Sequence, residues 1–187
     1  MMPSNKSVAN LILCKIFFFL FFETACVSIL KYENRAPNLK KSQCSVKLSE
    51  SDLSYSFKSL SGQKVMLNTF KGKVIFINHW ATWCSPCIKE MPSLSQLYKT
   101  VKEQPIVFLF ISNESKDHVE NFVQKHSLSG LQFYTSVKAE KPRIFDNNTW
   151  PTTYIIDKNS NLVIKHTSTA NWSHQSVTSY LKKLIHE

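Results

Sequence analysis

The chain has 187 residues, long enough for one domain plus a leader, and its 43% hydrophobic content can bury a core. Its formal charge of +10 is carried almost wholly by scattered lysines, with Arg35 and Arg143 the two arginines. No basic stripe or nucleic-acid motif is present, so nucleic acid is excluded as a partner, and the charge reads as a solvated basic surface or an attraction to anionic membrane or an acidic protein.

The first segment, residues 1–30, reads as an export signal or as a membrane or lipid anchor. Lys6 and Lys15 precede and flank the apolar run 16-IFFFLFF-22, the pattern of a positive n-region and a short h-region. The window Leu11–Leu30 could just span a bilayer, but Lys15 and Glu23 inside it make it a poor membrane helix. Cys26 ends 22-FETAC-26, which resembles a bacterial lipoprotein cleavage box except that Glu23 stands where leucine is usual. Cys26 is therefore a candidate for lipidation, and each reading places the domain outside the cytoplasm. Residues 31–53 are polar, rich in lysine and serine, and lack apolar periodicity, as expected of a tether.

The domain is expected over 54–187. Phe57 and Leu60, then Ser61-Gly62, then 65-VML-67 suggest a β-hairpin. The run 74-VIFIN-78 suits a central strand buried on both faces. After Cys84 the period changes: Ile88, Met91, Leu94, Leu97, Tyr98 and Val101 mark one apolar stripe of a helix, with Pro86 in its first turn and Pro92 expected to kink it. A buried strand at 106–112, a helix carrying Val119, Phe122, Val123 and a helix-end His126 and ending near Gly130, and a strand at 131–135 follow. A hairpin over 153–157 and 162–166 and a helix carrying Val177, Tyr180, Leu181, Leu184 and Ile185 close the chain. Strands alternating with helices indicate an α/β fold with a mixed central sheet.

The chemistry centres on 78-NHWATWCSPCIKEMP-92. A buried strand runs into Cys84, and a helix opens there. A helix N-terminus offers unpaired N–H groups and about half a positive charge, which stabilise a thiolate. Three-residue spacing brings Cys84 and Cys87 within disulfide range, and Ser85-Pro86 stiffens the turn between them. Cys84 at the cap is the attacking thiol and Cys87, a turn deeper, the resolving thiol. Two alternatives are weaker. A zinc site needs about four ligands, and no second C-x-x-C or H-x-x-x-H exists. A purely structural disulfide closing a two-residue loop removes little chain entropy. A non-enzymatic module that binds metal or haem, or docks a partner, stays as the alternative function. Cys44 is left with three readings: a free or incidental thiol in the tether, a disulfide with an unlipidated Cys26, or a bond to another chain.

The run 72-GKVIFINHWATWCSPCIKEMP-92, with the Gly62 hairpin and 151-PTTYIID-157, resembles the thioredoxin superfamily, and within it the bacterial extracytoplasmic thiol-disulfide oxidoreductases of the TlpA and ResA type. The likeness covers about Ser54 to Glu187. It implies a thioredoxin-like fold, a central mixed sheet flanked by helices, with an N-terminal hairpin extension. It implies a redox disulfide between Cys84 and Cys87, no cofactor and no metal, and a proton-handling or pKa-setting Glu90. It implies a cis-proline loop at Trp150-Pro151 that offers backbone groups to a substrate strand, with Trp83, Ser85 and Pro86 beside it on the docking surface; Trp80 reads as core packing. Asn78 stands where thioredoxins proper carry a buried aspartate, and His79 departs from the usual phenylalanine. The expected activity is reduction of protein disulfides, apocytochrome-like ones among them, in the periplasm or at the outer face of the membrane, with re-reduction by a membrane thiol electron donor.

Overall fold

In the computed structural model, the described residues are 35–39, 45–128, 130–136, 141–146 and 148–187. The expected leader, Cys26 and Cys44 lie outside them. Elements run in the order β1 (Val46–Lys47), α1 (Glu50–Leu53), β2 (Ser56–Ser59), β3 (Lys64–Met66), β4 (Val74–His79), α2 (Ser85–Val101), β5 (Ile106–Ser112), α3 (Lys116–Lys125), β6 (Phe133–Thr135), β7 (Thr152–Ile156), β8 (Asn161–Thr167) and α4 (Gln175–His186), with 3-10 turns at Leu67–Phe70 and Arg143–Phe145.

The strands form one mixed sheet in the order β1-β8-β7-β4-β5-β6-β2-β3. β4, β5 and β6 are parallel, and β7 returns antiparallel along the other edge of β4. β4 is central and buried at every position. Its alternation decides the rest. Val74 and Phe76 join the apolar layer of Leu94, Leu97, Val119, Leu181 and Trp172, contributed by the three long helices and the segment before α4. Ile75 and Ile77 face the opposite layer, with Tyr55, Leu67, Phe145 and Tyr154. Side chains two apart share a face of a strand, so Asn78 must point toward the helices and His79 away from them.

The expected elements are present, most with boundaries moved by a residue or two; α3, expected to end near Gly130, stops at Lys125. The β2–β3 hairpin turns at Gly62, whose φ of +88° is a conformation glycine adopts without steric cost. α2 continues through Pro92, which leaves the Ile88 carbonyl without its i+4 donor. The strand expected from 131 begins at Phe133, although Leu131 is still buried.

One expectation needs correcting. The tether was expected to extend to residue 53, but its last residues belong to the fold. Val46 and Lys47 pair with Leu162 and Asn161 of β8, and Leu48 and Leu53 are buried in the second layer. Ser49 caps α1 through a capping box with Asp52, a device of about 1 kcal/mol. Only two apolar side chains anchor this stretch. Its composition therefore reads as linker, while its two leucines close the sheet face that the long helices leave uncovered.

Candidate active site

The loop between β4 and α2 carries the reactive pair. Its backbone is held by Trp80 N–H donating to the Ile111 carbonyl at 3.2 Å and by Cys84 N–H donating to Ala81 at 3.1 Å. Between them, Thr82 donates both its N–H (2.7 Å) and its hydroxyl (2.6 Å) to the Glu114 carboxylate, which also accepts from the Ser112 hydroxyl at 3.0 Å. Glu114 ties the end of β5 to the loop, a role the sequence reading missed. Trp80 is fully buried against Phe122 and Phe133, in the core as expected.

Cys84 is the N-cap of α2, and its sulfur accepts from the Cys87 N–H at 3.2 Å. The two sulfurs are bonded, with Cα atoms 5.3 Å apart. Cys84 keeps 4% of its surface exposed and Cys87 none. The expected solvent-reachable thiol is thus a narrow opening, yet the order of access is the expected one. Ser85 and Pro86 are exposed beside it, and Thr169 donates through its hydroxyl to the Pro86 carbonyl at 3.3 Å.

Around the opening lies an aromatic rim. Trp83 is 65% exposed and is one of two exposed large apolar side chains among the described residues, with Val46 the other. Its ring meets Trp150 edge-on at 6.2 Å, and the Trp150-Pro151 bond is cis. His79 sits on the far face of the sheet, as its parity requires, with its ring against Tyr154 (5.3 Å), Tyr55 (6.3 Å) and Trp150 (6.3 Å).

Behind the disulfide the site is sealed and polar. Glu90 lies on the buried stripe of α2, three residues after Cys87, and is 1% exposed. Its Oε2 accepts from the Trp172 indole N–H at 2.9 Å and from the Ala170 N–H at 3.2 Å. Its Oε1 accepts from Asn78 Nδ2 at 2.9 Å, and the same amide nitrogen donates to the Thr153 hydroxyl at 2.9 Å. The β4–β7 register pairs Asn78 directly with Thr153, so both project to the helix side. Burial pushes the Glu90 carboxyl up to about 7, against the opposing pull of the Trp172, Asn78 and Ala170 hydrogen bonds. Ser93 fastens the loop after β8, donating to the Glu90 and Ala170 carbonyls and accepting from the Trp172 N–H. Trp172 and Thr153 were not foreseen. They stand 82 and 63 residues from Glu90 in the chain, and only the register and the loop packing bring them near. Among the described residues no group of three or more His, Cys, Asp or Glu side chains could hold a metal ion.

The AhpC/TSA family profile matches residues 34–165. The chain belongs to the AhpC/TSA family. It is 34% identical over 130 residues to the thiol-disulfide oxidoreductase ResA of Bacillus thuringiensis subsp. konkukian, covering 67% of this chain and 71% of that protein. ResA of Bacillus subtilis is 32% identical over 106 residues, 55% of this chain and 58% of its own length. Among solved structures, the thioredoxin domain of a thiol-disulfide oxidoreductase from Bacteroides vulgatus superposes with a TM-score of 0.60 at 19% identity, covering 74% of this chain and 99% of that one. The exposed lipoprotein thioredoxin of Streptococcus pneumoniae superposes with a TM-score of 0.56 at 19% identity, covering 71% and 98%. The fold is thioredoxin-like, and the protein is a thiol-disulfide oxidoreductase of the ResA and TlpA type with a disulfide-forming Cys84–Cys87 pair.

Proposed function

We propose that this protein is an extracytoplasmic reductase of protein disulfides, with Cys84 as nucleophile, Cys87 as resolving thiol and Glu90 as the group that takes up and returns the Cys87 proton. The observation that carries the reading is the asymmetry of one disulfide: Cys84 keeps 4% of its surface exposed and follows exposed Trp83, whose ring meets Trp150 of the cis Trp150-Pro151 bond, while Cys87 is fully buried on the helix that carries buried Glu90.

In the reduced protein the Cys84 thiolate attacks one sulfur of a substrate disulfide. A mixed disulfide forms and the first substrate thiolate leaves. Cys87 gives its proton to Glu90, and the resulting thiolate attacks the Cys84 sulfur. The Cys84–Cys87 bond closes and the second substrate thiolate departs. The substrate gains two electrons from the dithiol and leaves as two thiolates, which take their protons from solvent, while the Cys87 proton is held by Glu90. Backbone groups at Trp150, exposed Trp83, and the Ser85-Pro86 edge would hold an extended substrate segment by strand-like pairing. In an oxidising compartment the oxidised pair needs a thiol donor, and a membrane thiol electron donor meets that need. Residues 1–30 would serve as export signal or anchor, with Cys26 the lipidation candidate, and apocytochrome-like polypeptides are one substrate class. Among the described residues no helix is long and apolar enough to cross a membrane, so attachment would fall to the leader.

The test is trapping. Cys87→Ala should accumulate mixed disulfides through Cys84 in non-reducing gels, while Cys84→Ser should form none and lose reduction of a model protein disulfide such as insulin. A Cys87→Ala protein that captures nothing, together with a wild type that reduces no protein disulfide, would refute the assignment.

A further inference from the structure

Glu90 must alternate between two proton states if it carries the Cys87 proton, and its two oxygens are not equivalent for that purpose. Oε2 faces the Trp172 indole N–H and the Ala170 backbone N–H. Both are donors only and cannot turn into acceptors. A proton on Oε2 would point hydrogen at hydrogen in a dry site and cost about two hydrogen bonds. Oε1 faces one partner, the side-chain amide of Asn78, which presents a donor on one arm and an acceptor on the other. The acceptor arm, Asn78 Oδ1, is buried and has no hydrogen-bond partner. A buried amide oxygen left unpaired is rare and calls for an explanation.

We propose that the Asn78 amide is a reversible positioning partner of Glu90: Nδ2 donates to Oε1 when the carboxyl is ionised, and after a half-turn about χ2 Oδ1 accepts from the Oε1 hydroxyl when the carboxyl is protonated. The inference rests on the proton-carrying reading of Glu90 given above. Hydrogen bonds balance across the turn. In the ionised state Nδ2 donates to Glu90 Oε1 and to Thr153 Oγ1. In the protonated state Oδ1 accepts from Glu90 and from the Thr153 hydroxyl, which can donate as well as accept. Each state keeps two bonds and leaves one amide arm unpaired, so the unpaired Oδ1 is the arm held ready for the other state. The proton leaves the Cys87 sulfur for Oε1 as the disulfide closes; Glu90 then ionises to the arrangement the oxidised structure shows, and a proton taken up again on Oε1 serves re-reduction. Through Thr153 the amide also touches the strand that follows cis Pro151, so the Glu90 proton state reaches the substrate loop through one side chain.

The groups facing Glu90 are Asn78 from β4, Ala170 and Trp172 from the loop after β8, and Cys87 from its own helix. Of these only reduced Cys87 titrates. The next titratable group touching the network is His166, whose ring meets Trp172 edge-on at 5.6 Å and whose pKa is lowered by burial.

The experiment is NMR on the whole oxidised protein, in which Cys87 cannot titrate. Glu90 13Cδ, the Asn78 side-chain 15N–1H2 pair and His166 13Cε1 are followed against pH, with the Asn78 pair assigned by its loss in Asn78→Leu. The expected result is an Asn78 shift sharing the Glu90 midpoint, and a flat Asn78 profile in Glu90→Gln. Asn78 signals that stay constant while Glu90 titrates overturn the proposal, as does an Asn78 midpoint that follows His166 or persists in Glu90→Gln. A Glu90 13Cδ midpoint in the ordinary carboxylate range overturns the proton-carrying reading itself, and the amide reversal falls with it.

Discussion

The first turns of α2 have an outer and an inner side that share a helix and little else. The outer side holds Cys84, Trp83 and the cis Trp150-Pro151 loop, and its groups are apolar or backbone, with a 65% exposed indole at the edge. The inner side holds Cys87, Glu90, Asn78 and Trp172, all fully or almost fully buried, and it is a closed hydrogen-bond network around one carboxyl. The difference teaches how a single disulfide is given a direction. The sulfur at the cap keeps a little surface exposed, while the deeper sulfur is fully buried on the side of the internal carboxyl, the asymmetry on which the proposed roles rest.

Breaking the inner side should have the largest effect. Glu90 has its folded pKa raised from 4.5 to about 7, chiefly by burial. The folded state therefore holds a proton that the unfolded state has released. Stability from this group is fully present below about pH 4.5 and is lost as pH rises through about 7, a fall of about 3 kcal/mol at 1.36 kcal/mol per pKa unit. Denaturant titrations of the oxidised protein from pH 4 to 8 should show that decline in the wild type and not in Glu90→Gln. Comparing the two curves separates Glu90 from His166, whose lowered pKa acts in the opposite sense. Equal pH slopes in the two proteins would mean that Glu90 is not held protonated by its burial.

A cut on the outer side should leave stability alone and weaken substrate binding. Trp83→Ala removes an exposed ring, so unfolding free energy should change by no more than about 0.5 kcal/mol. The KM for a protein disulfide should rise several-fold, roughly 1 kcal/mol of binding, while reaction with a small disulfide stays near wild type. If Trp83→Ala slows both substrates alike, the ring acts on the cysteines rather than on docking.

The same division marks what the sequence made legible. The run into Cys84, the helix stripe after it and the closing hairpin are local patterns of period two or 3.6, and they fall within a residue or two of the observed elements. Glu90 could be placed because it sits three residues from Cys87 on one helix face. Its other partners could not: Thr153 depends on the β4–β7 register, and Trp172 on a loop held down by Ser93. Thr82 and Glu114 meet because β4 and β5 are parallel neighbours, a pairing that leaves no short-range mark. Leu48 and Leu53 were hidden for a different reason, as two apolar residues in a polar stretch carry no periodicity. His79 was ambiguous until strand parity put it with Tyr55 and Tyr154, on the face away from the disulfide.

The most direct test of the account is competitive alkylation of the freshly reduced protein at neutral pH, with each modified cysteine located by mass spectrometry. Cys84 should react at least about tenfold faster than Cys87, because it has both the cap position that stabilises a thiolate and the only access to solvent. Equal rates, or Cys87 reacting first, would contradict the assignment of the two sulfurs.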